Sequence, residues 1–394
     1  MLLLSTQQDS AVGVLSVNEG LRQARLAQGW SQERLVREIE RYAKQHLSDV
    51  ASTASLRVYV SEWENGRRNI SPRYAAVLRG LLGITNDELM SRPTGGTETP
   101  SVVGGYDDLV NRIESARSVS LTMVDTFMNQ TELLRTVDRQ MGAGGLVDQM
   151  TGHLSTLEDA LTFAVLPETR RPVARALASA ATLAAWQALD VGSVERAWRH
   201  YELGKRAAQE ANEPMYLAHA MVEQAYVLCD AGRPELAVDL VRDAWRAGAG
   251  RLSPRLQAWL HAAEAEICAR AGLADDCRRS LDLAFDALPG GVEDRDPDML
   301  SIFLNGAHLT RWRGNALAIL GDDRAVSSLY TALERRDPSF IRATAGLRCD
   351  LAQAHLAREE YDQAQEHLRQ ARLLASRTGS VRHRRRIEQL TKRL

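Results

Sequence analysis

Apolar residues recur along this chain at intervals of three and four, and strict alternation is nearly absent. Such spacing stacks apolar side chains on one face of a helix, so the pattern predicts an all-α protein. Within residues 16–91 the runs are short. Ser16-x-x-Glu19 is a capping box that opens a helix through Gln28, and Gly29 closes it. Ser31 caps a second helix, and Leu21, Leu26, Trp30, Leu35 and Ile39 can face one core. A third helix begins at Thr53 or Ser55, aligns Leu56, Val60 and Trp63 on one face, and stops at Gly66. Ser71-Pro72 opens a fourth helix containing Leu78 and Leu82, and Thr85-x-x-Glu88 caps a fifth.

Beyond residue 91 the pattern changes. Arg92 to Pro100 is a polar stretch bounded by proline and glycine, which marks a domain boundary. A long helical stretch runs from about Asp107 to Gln140 and breaks at Gly142-Ala143-Gly144-Gly145; Met123, Phe127, Leu133 and Leu134 form an apolar stripe on it, suited to packing within the chain or across a dimer. From about residue 172 the chain repeats. A turn glycine followed five positions later by a small residue occurs as Gly192…Ala197, Gly232…Ala237 and Gly272…Cys277, at steps of 40, then as Gly321…Val326 after a longer connection through Pro289-Gly290-Gly291. Glu359…Ala364 keeps the offset without the glycine. Seven positions before each turn sits Ala185, Ala225, Ala265, Gly314 or Ala352. Small residues at fixed places let two antiparallel helices approach closely, so each unit is a helical hairpin stacked on the next. The expected layout is a flexible tail (1–15), a helical head (16–91), a linker (92–105), a helical connector and possible dimerisation region (106–170), repeats (171–378) and a basic capping helix (379–394).

Composition narrows the function classes. At 394 residues the chain is long enough for more than one core. The net charge of −2 gives no global pull toward nucleic acid, so any basic surface is local. Residues 16–92 carry twelve Lys and Arg against nine Asp and Glu, a mild basic bias. The four cysteines, Cys229, Cys268, Cys277 and Cys349, show no paired spacing and read as reduced, buried thiols. No signal peptide or membrane span is evident, so a cytoplasmic protein without membrane contact is expected. There is no zinc motif, phosphate-binding G-K-[ST] or nucleophile elbow. No enzyme activity, metal or cofactor is therefore expected.

The residues of the head carry a specific likeness. Leu21…Arg25…Gly29-Trp30-Ser31-Gln32-Glu33 and Val60-Ser61-Glu62-Trp63-Glu64-Asn65-Gly66-Arg67-Arg68 resemble the phage-repressor (XRE) helix-turn-helix family. That resemblance implies a five-helix DNA-binding domain. It implies that Gln32 touches phosphate and braces the recognition helix, that Arg57 holds the first base-reading position, that Asn65 contacts phosphate, and that Arg25 pairs with Glu64. Tyr59 and Ser61 lie on or beside the reading face, and Arg67, Arg68 and Arg73 suit backbone contacts. Arginine is suited to bidentate contact with guanine in the major groove. The interval from Gln32 to Arg57 exceeds the family norm, so helix two is extended or a loop occupies 42–53. One head buries only about 600–1,000 Å² on DNA, so a homodimer reading two half-sites of a double-stranded operator is expected.

The hairpin units, with Ala218-His219-Ala220…Tyr226…Gly232-Arg233-Pro234-Glu235-Leu236-Ala237 the clearest, resemble tetratricopeptide repeats, although the step of 40 exceeds the usual 34. The resemblance implies an α-solenoid whose first helices line a concave groove. Alignment on the turns places Trp186, Tyr226, Glu266, Asn315 and Gln353 at one inward site, and Thr182, Val222, Ala262, Arg311 and Cys349 four residues earlier. His219, Trp259 and His308 lie further along the same helices. These residue types suit an extended peptide, with amides for its backbone and Arg311 for a carboxylate, or alternatively they are contacts between repeats. The whole layout is similar to actinobacterial XRE-type regulators with repeat bodies and to peptide-pheromone receptors of Gram-positive bacteria. It implies a transcriptional regulator that senses a peptide, partner protein or small-molecule effector. The alternative is a non-enzymatic scaffold whose head docks on protein. The basic end, with Arg382, Arg384, Arg385, Arg386, Lys392 and Arg393, reads as a solvated cap or as a contact for an acidic partner or DNA.

Overall fold

The computed structural model describes residues 19–45, 50–65, 70–83, 102–117, 119–290, 294–337 and 339–394. These residues form eighteen α-helices and no strand, with one isolated antiparallel bridge between Arg295 and Phe303. The protein is all-α. Two compact units, residues 1–104 and 105–394, divide the chain.

The head contributes α1 (Glu19–Ala27), α2 (Gln32–Gln45), α3 (Thr53–Glu64) and α4 (Pro72–Leu82). The predicted capping residue Ser16, the stop at Gly66 and the fifth helix lie outside the described residues. Gly29, at φ +67°, makes the turn between α1 and α2. Ser31 Oγ accepts from Arg34 N–H at 3.1 Å, as an N-cap should. The cap of α3 is Ser52, one residue before Thr53 and three before Ser55, accepting from Ser55 N–H. Leu21, Leu35, Ile39, Leu56, Val60, Trp63, Leu78 and Leu82 close a single core. Leu26 was expected there but is 55% exposed, because it sits in the last turn of a nine-residue helix whose inner face is already used by Leu21 and Arg25. The long interval before α3 is spent partly on extending α2 to Gln45. Its Tyr42 ring leans on α4 so closely that a Cβ at Gly80 would stand 2.3 Å from the hydroxyl.

The body runs through α5 (Val102–Arg117), α6 (Leu121–Met141), α7 (Val147–Phe163), α8 (Pro167–Asp190), α9 (Val194–Ala211), α10 (Pro214–Asp230), α11 (Pro234–Gly248), α12 (Pro254–Arg270), α13 (Ala274–Ala287), α14 (Gly306–Leu320), α15 (Arg324–Glu334), α16 (Ile341–Ala357), α17 (Tyr361–Thr378) and α18 (Val381–Thr391). The long stretch expected from 107 to 140 is two helices, because Ser120 caps α6 with its side chain. Phe127 is half-buried against the core and Leu134 is buried, while Met123 and Leu133 are exposed. The stripe is therefore divided between core and surface.

Five hairpins, α8–α9, α10–α11, α12–α13, α14–α15 and α16–α17, stack in sequence. The turn glycines 192, 232, 272 and 321 have φ of +82°, +75°, +76° and +73°. Glu359 adopts the same left-handed conformation at +58° in the unit that lacks the glycine. Ala197, Ala237, Cys277 and Ala364 are buried at the hairpin crossings. In the fourth unit the buried small residue is Ala325 rather than Val326, four positions after the turn glycine instead of five. Gly314 is required for contact: a Cβ there would meet Leu329 Cγ at 2.6 Å.

The body curls until its ends meet. The helix α6 packs on α16, and α18 packs on α8. Arg342 on α16 pairs with Asp138 on α6 at 2.6 Å. Ser380 donates to Asp190 at 2.6 Å. Two glycines leave room for this closure, since Cβ atoms at Gly142 and Gly192 would stand 2.3 Å from Thr378 O and 2.8 Å from Val381 Cγ1. No described helix is long and apolar enough to cross a membrane.

Candidate functional site

In the head, a buried ion pair fixes α3. Arg25 Nε lies 2.6 Å from Glu64 Oε1 and Nη2 lies 2.9 Å from Oε2, while Nη1 donates to Trp30 O. Gln32 Nε2 donates to the same carboxylate at 2.8 Å. One side chain at the end of α3 thus ties together the end of α1 and the start of α2. Such a pair is rigid because breaking either partner would strand a buried charge.

Arg57 projects from the outer face of α3, with 61% of its side chain exposed, and among the described residues its ion-pair partner is Glu33 at 3.5 Å. An exposed pair of this kind is worth about 0–1 kcal/mol, so the guanidinium exchanges readily to a better acceptor. Ser61 is half-buried on the next turn. Asn65 is exposed, but its Nδ2 donates to Ser61 O at 2.8 Å, so as placed it caps its own helix instead of offering that donor outward. Tyr59 turns inward: its ring packs edge-on to Tyr74 at 6.1 Å and tilted to Trp63 at 5.9 Å. Trp63 and Tyr74 hold the Tyr59 ring against the core side of α3, away from the outer face that carries Arg57. Arg67 and Arg68 lie outside the described residues.

The second candidate is a cavity of about 870 Å³ on the concave side of the body. All eight sequence-derived groove residues line it: Trp186, His219, Tyr226, Trp259, Glu266, Arg311, Asn315 and Gln353. The row four residues earlier does not reach it except at Arg311. Thr182, Val222, Ala262 and Cys349 are buried in helix packing instead. Thr182 shows the reason, since its Oγ1 stands 3.0 Å from a Cβ position at Gly204 on the partner helix, inside the hairpin contact.

Rings form one wall. Trp186 meets Tyr226 edge-on at 6.2 Å, Trp259 meets Trp312 edge-on at 6.0 Å, and His219 lies 4.8 Å from Trp259. Charged groups form the rest: nine arginines and four carboxylates line the space. Several predicted ligand contacts are committed within the protein. Glu266 accepts from Trp312 Nε1 at 3.1 Å, Tyr226 Oη at 3.2 Å and Arg270 Nη2 at 2.8 Å. Burial alone would raise the Glu266 pKa, but Arg270 outweighs it and holds the carboxyl below its ordinary value. Asn315 donates to Asp350 at 2.7 Å, and Gln353 accepts from Arg386 at 3.0 Å. Their free capacity is one carbonyl and one amide respectively, half of what a two-point backbone clamp would use.

Burial drives the neutral forms of two neighbouring groups. His219 is pushed down to about 3 and the Glu223 carboxyl up to about 7. Among the described residues that line this cavity, Arg135, Asp138, Ser301, His308, Asn315 and Arg342 each carry a buried polar side-chain atom without a hydrogen-bond partner.

The sequence reading missed most of the wall. Phe303 and Ser301 come from the connection before α14, which is ordered from Asp294 by Asp296. The Asp296 carboxylate accepts from Asp298 N–H, Met299 N–H and Ser253 Oγ. No periodicity signals such a loop. Arg139 and Arg342 enter only because the body closes on itself. The terminal helix is likewise drawn inward: Arg382 pairs with Asp230, Arg386 pairs with Asp350 at 2.6 Å, and only part of the basic run stays solvated. One signal was available. His219, Trp259 and His308 each lie seven residues before Tyr226, Glu266 and Asn315, two helical turns along one face. The same offset reaches Gly346, which also lines the cavity and makes room for Arg311, whose Nη2 stands 2.8 Å from its Cβ position.

No protein-family model and no curated protein matches the sequence. Among solved structures, a Rap protein complexed with competence and sporulation factor is similar at 14% identity and a TM-score of 0.44, over 96% of this chain and 100% of that one. Aspartyl phosphate phosphatase F from Bacillus subtilis is similar at 12% identity and a TM-score of 0.40, over 95% and 98%. With TM-scores below 0.5, neither likeness bears on function.

Proposed function

We propose that this chain is a ligand-responsive, sequence-specific transcriptional regulator. Its head reads duplex DNA through α3, and its body takes a peptide or a molecule of comparable size in the cavity. The observation that carries the reading is the pairing of a rigid base with an exposed, weakly held reading residue. Arg25, Glu64 and Gln32 lock α3 from below, and Arg57 stands exposed above with a weak partner. A major-groove reader needs that combination, because phosphate contacts position a helix and a mobile-tipped, fixed-base arginine specifies the base.

The cavity supports the effector half of the proposal. Its volume of about 870 Å³ falls within the range of pre-formed ligand sites, and it combines an apolar ring wall with convergent polar atoms. Two copies of the chain are part of the proposal, since one head covers too little DNA for tight specific binding.

A mobility-shift assay with the full chain on the region upstream of its own gene tests the reading. The expected result is a discrete shifted species that scrambled duplex does not compete away. Equal competition by scrambled duplex at every salt concentration would favour the scaffold alternative.

A further inference from the structure

The cavity is more cationic than its internal pairing requires. Arg135, Arg270, Arg342, Arg382 and Arg386 each have a carboxylate within 3.1 Å. Arg385 and Arg393 lie exposed at the rim. Arg139 is different. It is half-buried on α6, its guanidinium carbon stands 5.4 Å from the Phe303 ring centroid, and no described carboxylate pairs with it. Arg311 is nearly as poorly matched, because its one ion-pair partner among the described residues is Asp350 at 3.9 Å, which Arg386 holds more closely.

These two guanidiniums approach His308 from two sides of the cavity: Arg311 lies one turn further along α14, and Arg139 stands over the same Phe303 ring that His308 meets. Burial, with a lesser contribution from both charges, pushes the His308 imidazole down to about 4, so the ring is neutral. His308 in turn meets Phe303 edge-on at 4.9 Å. On the same wall, His308 Nδ1 and Ser301 Oγ are buried without partners. The seat thus has two cations with capacity to spare, a neutral imidazole, a hydroxyl donor and a flat apolar ring. Burying unmatched cations is costly unless an anion joins them.

We propose that Arg139 and Arg311, with Ser301 and His308, form the seat for a carboxylate on the effector, whose apolar part lies along the ring wall. This deepens the effector half of the proposed function and rests on it. A singly charged carboxylate matches Arg139, the one half-buried guanidinium of the lining with no carboxylate partner among the described residues. A phosphate dianion would bring excess negative charge near Asp138, which already lines the cavity. A free carboxylic acid and an acidic or C-terminal group of a peptide share this chemistry.

Titration of the full chain with indole-3-acetate, indole-3-acetamide and indoxyl phosphate tests the seat with matched aromatic bodies. Indole-3-acetate should bind about tenfold more tightly than the amide, the scale of one charge-assisted contact. Arg139→Gln and, separately, Arg311→Gln should each reduce that preference, and Arg139→Lys should retain most of it. Equal affinity for acid and amide, no binding of the acid, or a preference unchanged in both glutamine variants would overturn the seat. Tighter binding of indoxyl phosphate than of the acid would overturn the carboxylate assignment. An acidic peptide with a C-terminal amide, tested against the same peptide with its side-chain carboxyl amidated, separates a peptide source from a free acid. Mobility shifts on the same preparations read the DNA-binding half independently, so failure of the seat and failure of the regulatory reading are distinct results.

Discussion

Arg382 on the last helix holds Asp230 at the end of α10 by two contacts, Nε to Oδ2 at 2.5 Å and Nη2 to Oδ1 at 3.1 Å, across 152 positions of sequence. The same guanidinium lies 5.2 Å from the Trp186 ring and 5.7 Å from the Tyr226 ring. It therefore joins the terminal helix to two hairpins, through α8 and α10, at one point beside the cavity. Arg382→Gln should lower the stability of the chain by about 3 kcal/mol in urea unfolding, because Asp230 would remain without its partner. The double variant with Asp230→Asn should lose less than the sum of the two single losses. Additive losses would mean that the contact does not hold the terminal helix.

The turn positions make a separate prediction. Gly272, at φ +76°, has open space around its Cβ position, so Gly272→Ala should cost about 1–2 kcal/mol from conformation alone. Gly314 is helical but faces Leu329, so Gly314→Ala should cost about 1–3 kcal/mol from overpacking. Glu359→Gly should have the opposite sign and raise stability by about 0.5 kcal/mol, since the relieved left-handed strain exceeds the added chain entropy. Thermal unfolding of the three variants checks this order.

Glu223 makes the fold sensitive to pH. Burial lifts its pKa from the ordinary 4.5 to about 7. A raised folded-state value favours the protonated acid, so its contribution to stability is complete below pH 4.5 and is lost as pH rises through 7. Glu223→Gln should lack that loss, with a flatter stability profile between pH 4.5 and 7 and higher stability than the parent above pH 7. His219, held near 3, contributes in the reverse direction, with stability present above 6.5 and lost as pH falls. Comparing parent and Glu223→Gln at each pH isolates the carboxyl. Parallel profiles would contradict the assignment.

Much of this architecture was legible in the chain. The repeat was visible because hairpin turns need a left-handed residue and tight crossings need small ones, and both recur at fixed offsets from Gly192 to Ala364. Trp186, Tyr226, Glu266, Asn315 and Gln353 share one lining because stacked hairpins present equivalent positions to one side. The Arg25–Glu64 pair followed from a likeness of the head, and its geometry is present. What could not be read was anything set by the curl of the body. Arg139, Arg342 and Arg382 reach the cavity through closure between distant helices, which no local pattern encodes. Phe303 reaches it from an irregular loop ordered by one aspartate. Tyr59 was misplaced because helical spacing gives a face but not which aromatic neighbours, here Trp63 and Tyr74, compete for the ring.

In the head, Arg57→Ala should relax preference at one base position with a loss of about 1–3 kcal/mol on the preferred duplex and little loss on random duplex. Arg25→Ala should instead destabilise the head and weaken binding to both, because it strands Glu64 in the core. Fluorescence anisotropy on the two duplexes separates these outcomes.

Enrichment of bound sequences from randomised duplex DNA, with the full chain at physiological salt, tests the central claim most directly. The account predicts a recovered motif of two related half-sites spaced by about 10–10.5 base pairs or a multiple of it, with one guanine position that disappears when Arg57→Ala is used. Recovery of sequences no different from the starting pool would contradict it.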